Sequence, residues 1–183
     1  MIAGAAALLG ARFLAHRAGA ATTGGTGSVQ TQGSGTTGGA PNVFGIPTVT
    51  AGCPAASVRV AGARCPARPE CWAGMVETSG AVTDRSLPCT RPHYWETFAI
   101  AILPADARTF DQPTLEKNPT ANAVCSMRVL LASRRGGARR IPVSAWRVDV
   151  LPPSEAAFDS GTRTYRCVAN VTARQPRTSL FRR

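Results

Sequence analysis

Six cysteines, at positions 53, 65, 71, 89, 125 and 167, constrain this chain more than any other feature. No two form a C-x-x-C pair, and the only imidazole near them is His93. Zinc sites usually set paired ligands about two to four residues apart, so no metal or other cofactor is expected. An even count without a redox motif points to disulfides and to an oxidising compartment. The competing reading is six buried thiols in a reducing one. Six cysteines allow fifteen pairings, among which sequence alone does not choose. Position favours three of them. Cys125 and Cys167 both fall on core-facing positions, so Cys125–Cys167 would pin a helix to the last strand. Cys71–Cys89 would staple the first hairpin, and Cys53–Cys65 is left as a local pair.

The 183 residues allow one domain. Residues 1–18 begin with the apolar run Met1 to Ala11, followed by Arg12, His16 and Arg17. A spanning helix needs about 20 apolar residues, and an export signal carries its charge ahead of the apolar run. The segment therefore reads as the remnant of a membrane anchor, an atypical signal, or a short helical stub. Residues 19–49 are rich in Gly and Thr, and no charged residue lies between Arg17 and Arg59. Such a stretch buries too little apolar surface to offset its ordering entropy, so it is expected to be a disordered tether. The globular part is expected at 50–173, with 174–183 a frayed basic tail.

Within 50–173 the pattern predicts strands, one helix, then strands. Residues 94–103 alternate Phe98, Ile100 and Ile102 onto one face, with Glu96 near the start of the same face. A weaker strand is expected around 75–82. Residues 119–133 predict the main helix. Asn118 is its N-cap, Pro119 its first position, and Ala121, Val124, Met127 and Leu131 its buried face. Residues 146–151 predict another strand, Ser154 caps a helical turn that ends at Gly161, and 163–172 predict the last strand. In that strand Tyr165, Cys167, Ala169 and Val171 face inward. The fold class expected is α+β, a small antiparallel sheet with one main packed helix.

Two motifs carry a family likeness. The run Pro88-Cys89-Thr90-Arg91-Pro92-His93-Tyr94-Trp95-Glu96-Thr97-Phe98 resembles the P/D-C-x-x-P-H-x-x-E-x-[YF] signature of the septum formation family domain. Pro153-Ser154, with Phe158, Gly161, Arg163 and Cys167, is similar to that family's ending, although Phe158 stands where the family has Trp. Cys125 fits the family's middle cysteine and Cys71 its early one, although the Gly that usually stands before the early cysteine is absent. Cys53 and Cys65 are additional. The resemblance covers roughly residues 69–172. It implies a non-enzymatic extracytoplasmic domain of actinobacterial cell envelopes, membrane-anchored or secreted, with a role in cell division. Such domains are sometimes joined to a membrane Ser/Thr kinase, which makes ligand sensing the alternative.

The candidate sites are few. Cys89, His93 and Glu96 could form a nucleophilic set, but a disulfide at Cys89 would remove its thiolate, and no catalytic residue is assigned. His93, Glu96 and Arg163 are expected to form a polar cluster, either structural or ligand-binding. A buried Glu96 needs a partner, and Arg163 could pair with it bidentately. The net charge of +11 comes from 20 Arg and one Lys. Arg134, Arg135, Arg139 and Arg140 concentrate it in one loop. No aromatic residues are interleaved there, so nucleic acid is not the expected partner. A cell-envelope protein or an anionic envelope surface is.

Overall fold

The computed structural model describes residues 45–78, 81–104 and 111–181. The chain divides into Met1–Thr37 and Gly38–Arg183, and every described residue belongs to the second unit. The anchor or signal segment 1–18, and the tether as far as residue 44, lie outside the described residues. Among the described residues no helix is long and apolar enough to cross a membrane.

A two-stranded ribbon comes first, β1 (Thr48–Val49) against β2 (Cys65–Pro66). Strands β3 (Cys71–Thr78), β4 (Ala81–Leu87) and β5 (Trp95–Ile102) follow. Three short helices come next, α1 (Gln112–Lys117), α2 (Pro119–Val124) and α3 (Met127–Ser133). After a 3-10 turn at Gly136–Arg140 come β6 (Trp146–Leu151), α4 (Glu155–Asp159) and β7 (Thr164–Val171). Strands β3 to β7 form one antiparallel sheet in the order β4-β3-β5-β7-β6. The fold is α+β, with helical residues from 119–133 packed on the sheet.

Three disulfides staple it: Cys53–Cys65, Cys71–Cys89 and Cys125–Cys167. The first closes the ribbon, the second closes the β3–β4 hairpin, and the third ties the helices to β7. Tyr165, Cys167, Ala169 and Val171 all point into the main core, as the alternation of β7 predicts.

Four expectations are corrected. The weak strand at 75–82 straddles a hairpin, because β3 ends at Thr78 and β4 begins at Ala81. The helix at 119–133 is interrupted at Cys125 and Ser126. Asn118 caps the first piece through Oδ1, whereas Ser126 has extended backbone and its Oγ accepts the Val129 N–H at 3.3 Å, restarting the helix. The restart shifts the buried face to Val129, Leu130 and Ser133, and leaves Met127 and Leu131 only partly covered.

In β5, Thr97 pairs with Val168 and Ala99 with Cys167, so Phe98 is an inserted bulge residue. Beyond it the core face passes to Ala99, Ala101 and Leu103. Ile100 is buried on the other side, and Ile102 is 41 % exposed. The fourth correction concerns the tail, which is not frayed. Leu180 and Phe181 are buried, and the Phe181 ring sits 5.8 Å from both Phe98 and Trp146. The folded unit therefore runs from β1 to Phe181, past both ends of 50–173.

Candidate functional site

His93 and Glu96 are brought together and both are buried. His93 follows Pro92, and Glu96 is the second residue of β5. Their side chains approach at 3.8 Å between Nε2 and Oε2. His93 Nδ1 lies 3.0 Å from the Arg91 carbonyl oxygen, which fixes the ring, while Nε2 has no hydrogen-bond partner. Glu96 is held by the C-terminal segment. Its Oε2 accepts the Leu180 N–H at 2.7 Å and its Oε1 accepts the Ser179 hydroxyl. The His93 N–H donates to the Pro176 carbonyl at 3.2 Å.

Arg163 does not join this cluster. It is exposed, donates to the Phe158 and Thr162 carbonyls at 2.6 and 3.0 Å, and stacks on the Phe158 ring at 3.9 Å. The register explains the correction. Glu96 pairs with Ala169 and Ile102 pairs with Thr164, so Arg163 stands at the far end of the ladder. About six residues of strand at about 3.3 Å each, roughly 20 Å, separate it from Glu96.

Nucleophilic chemistry has no basis at this position, because the Cys89 sulfur is bonded to Cys71. Cys71, Cys89 and Glu96 place ligand atoms within 4.8 Å of one another, but the disulfide leaves neither sulfur as a thiolate donor. The polar cluster closes the core and offers no reactive group to solvent. Burial also pushes Tyr165, on the inward face of β7, up to about 12.

The arginine loop splits into two roles. Arg134 is half-buried, and its guanidinium donates to the Leu131 and Ile141 carbonyls at 3.2 and 2.9 Å. Arg139 donates through Nε to the Arg134 carbonyl at 3.2 Å. These two arginines brace the chain that leaves α3. Arg135, whose Nη2 also donates to the Gly52 carbonyl at 3.5 Å, and Arg140 line an open cleft of about 640 Å³ together with Arg174, Thr178 and Leu180. The Arg135 N–H donates to the Leu180 carbonyl at 2.9 Å, locking the loop to the C-terminal segment. No Asp or Glu among the described residues lines the cleft. Among the described residues the arginine–carboxylate pair is Arg166–Glu70, so none involves the cleft arginines.

Arg174, Thr178 and Leu180 are not legible as site residues in the sequence, where 174–183 reads as a frayed tail. The signal present was the apolar pair Leu180-Phe181 amid basic and polar residues. Compared with known proteins, the chain matches no family model, no curated protein and no solved structure. Three disulfides suit an oxidising, extracytoplasmic compartment.

Proposed function

We propose that this chain is a non-enzymatic, extracytoplasmic module of a cell envelope that works by binding an anionic envelope partner. The observation that carries the reading is the exposed arginine face formed by Arg135, Arg139, Arg140 and Arg174, with no carboxylate among the described residues that line its cleft. Charge complementarity draws such a face to anionic surfaces and polymers. The binding reading is further supported by the closed state of the polar cluster, where Cys89 is oxidised and His93 and Glu96 are covered. A place in cell division follows only from the resemblance to the septum formation family, and attachment by a tether from the Gly- and Thr-rich composition of residues 19–49 together with that resemblance.

The test is sedimentation of the oxidised protein with vesicles of phosphatidylglycerol and of phosphatidylcholine at low and high salt. Binding to the anionic vesicles that fades with salt supports the reading. Equal binding to both overturns it. A second reading, a ligand-sensing domain of a membrane signalling protein such as a Ser/Thr kinase, is favoured by the size of the cleft. Its volume falls in the range of about 300–1,000 Å³ usual for small-ligand sites.

A further inference from the structure

We infer that the cleft between the arginine loop and the C-terminal segment is a phosphate-binding site, with Arg135, Arg140 and Arg174 as its contacts. The inference rests on the binding reading above, and it names the place and the chemistry. Two segments far apart in sequence bring three arginines to one cleft, with no acidic residue lining it among the described residues. Like charges gathered around a concave surface raise its positive potential and favour an anion there. The run Arg134 to Arg140 is therefore not a uniform basic patch. Arg134 and Arg139 spend donors on nearby backbone carbonyls and Arg135 gives one Nη2 donor to the Gly52 carbonyl at 3.5 Å, while Arg140 lines the cleft and Arg174 joins it from beyond β7.

Several local features keep the cleft open. Gly136 and Gly137 bring no side chains into it, and Gly136 has φ of +48°, a conformation that glycine accommodates without strain. Ala173, in the turn that leads into Arg174, is held at φ of +60°, which is unfavourable for a residue with a Cβ. That turn sends the chain back over the cleft toward Leu180. Ala138, Ile141, Val171 and Leu180 give the site an apolar floor.

The choice of phosphate over carboxylate follows from donor number. A carboxylate offers two oxygens to one guanidinium fork, whereas a phosphomonoester offers three acceptor oxygens and close to two charges. Three arginines around an apolar floor suit one or more phosphate groups attached to a less polar body. A lipid whose headgroup is a phosphomonoester and a soluble polyphosphate share that chemistry.

The experiment uses the full oxidised chain with two probes: linear tripolyphosphate in calorimetry and phosphatidate vesicles in sedimentation. Arg140→Ala/Arg174→Ala is expected to weaken binding by about tenfold or more per guanidinium removed. Arg68→Ala/Arg128→Ala removes the same charge from exposed positions that do not line the cleft, and is expected to change binding by less than about threefold. A Cβ at Gly137 would meet only Arg140 Nη2, at 4.0 Å. Gly137→Ala is therefore expected to bind normally, and Gly137→Glu, which sets a carboxylate against Arg140, to lose binding. Cleft-dependent binding to tripolyphosphate alone assigns a soluble phosphate, and to vesicles alone a headgroup. Equal losses in the cleft and control pairs overturn the cleft site while leaving the binding reading standing. Failure to bind either probe overturns both.

Discussion

The Glu96 carboxylate accepts the backbone N–H of Leu180 at 2.7 Å across 84 residues of sequence, joining the start of the central strand to the end of the chain. The same carboxylate accepts the Ser179 hydroxyl. Replacing Glu96 by Ala leaves a buried N–H without its acceptor and empties part of the core. The expected loss is about 2–4 kcal/mol, since hydrogen bonds to charged groups are worth about 1.5–3 kcal/mol and an orphaned buried donor adds its own penalty. Glu96→Gln keeps one carbonyl oxygen and should lose less. Urea unfolding of the oxidised protein measures both. Wild-type stability for Glu96→Ala would show that the C-terminal segment does not depend on this carboxylate.

Phe181 gives the second prediction. Its ring lies against Phe98 of the β5 bulge and Trp146 at the start of β6, and it is 3 % exposed. Truncating a buried aromatic leaves a cavity as well as losing its transfer free energy, so Phe181→Ala should cost about 3–5 kcal/mol. Phe181→Leu keeps most of the volume and should cost less. Thermal unfolding monitored by circular dichroism separates the two. A frayed tail would leave both melting points unchanged.

Tyr165 provides a pH test. Burial raises its phenol to about 12, and its Oη has no hydrogen-bond partner. The unfolded phenol loses its proton near its ordinary value of 10.0, while the folded one retains it. The unfolded state therefore binds fewer protons between pH 10 and about 12, and stability falls across that window. Below pH 10 this contribution is fully present. Tyr165→Phe removes the titration without orphaning a partner, so it should be nearly neutral at pH 7 and flatten the alkaline loss. Urea midpoints between pH 8 and 11.5 decide it, and an unchanged slope in the variant would assign the loss elsewhere.

The parts of this fold that were legible in sequence are those where local pattern and tertiary demand agree. The strict alternation of Tyr165, Cys167, Ala169 and Val171 put one face of β7 inward, and Ser154 ahead of Glu155–Asp159 marked a capped helical turn. The misreadings have specific causes. Phe98 is an inserted residue, and a bulge has no periodic signature, so the alternation past it pointed to the wrong side. Ser126 lies inside an apolar run whose helical spacing hides a cap. The pairing of Glu96 with Leu180 is a contact at long sequence separation, and composition placed its partner in a basic tail. Charge alone matches Arg163 to Glu96, whereas strand register determines which residues meet. For the cleft, the loop arginines could be read and Arg174 could not, because its position depends on the tail returning to the core.

The Cys125–Cys167 bridge carries the last prediction. It joins the break between α2 and α3 to the inward face of β7 over a separation of 42 residues, against 18 for Cys71–Cys89 and 12 for Cys53–Cys65. Loop-closure entropy grows with the logarithm of loop length. Removal should therefore cost about 4 kcal/mol for Cys125–Cys167 and about 3 kcal/mol for each of the other two. Paired Cys→Ala variants compared by urea unfolding test the ranking. The difference among the three is small, so packing can reorder them. Cys167 and Cys71 are fully buried while Cys89 is only partly so, which adds to the expected cost at Cys125–Cys167. A smaller loss there than at Cys53–Cys65 would mean that the helices hold to β7 through Val124, Val129 and Leu130 without the bridge.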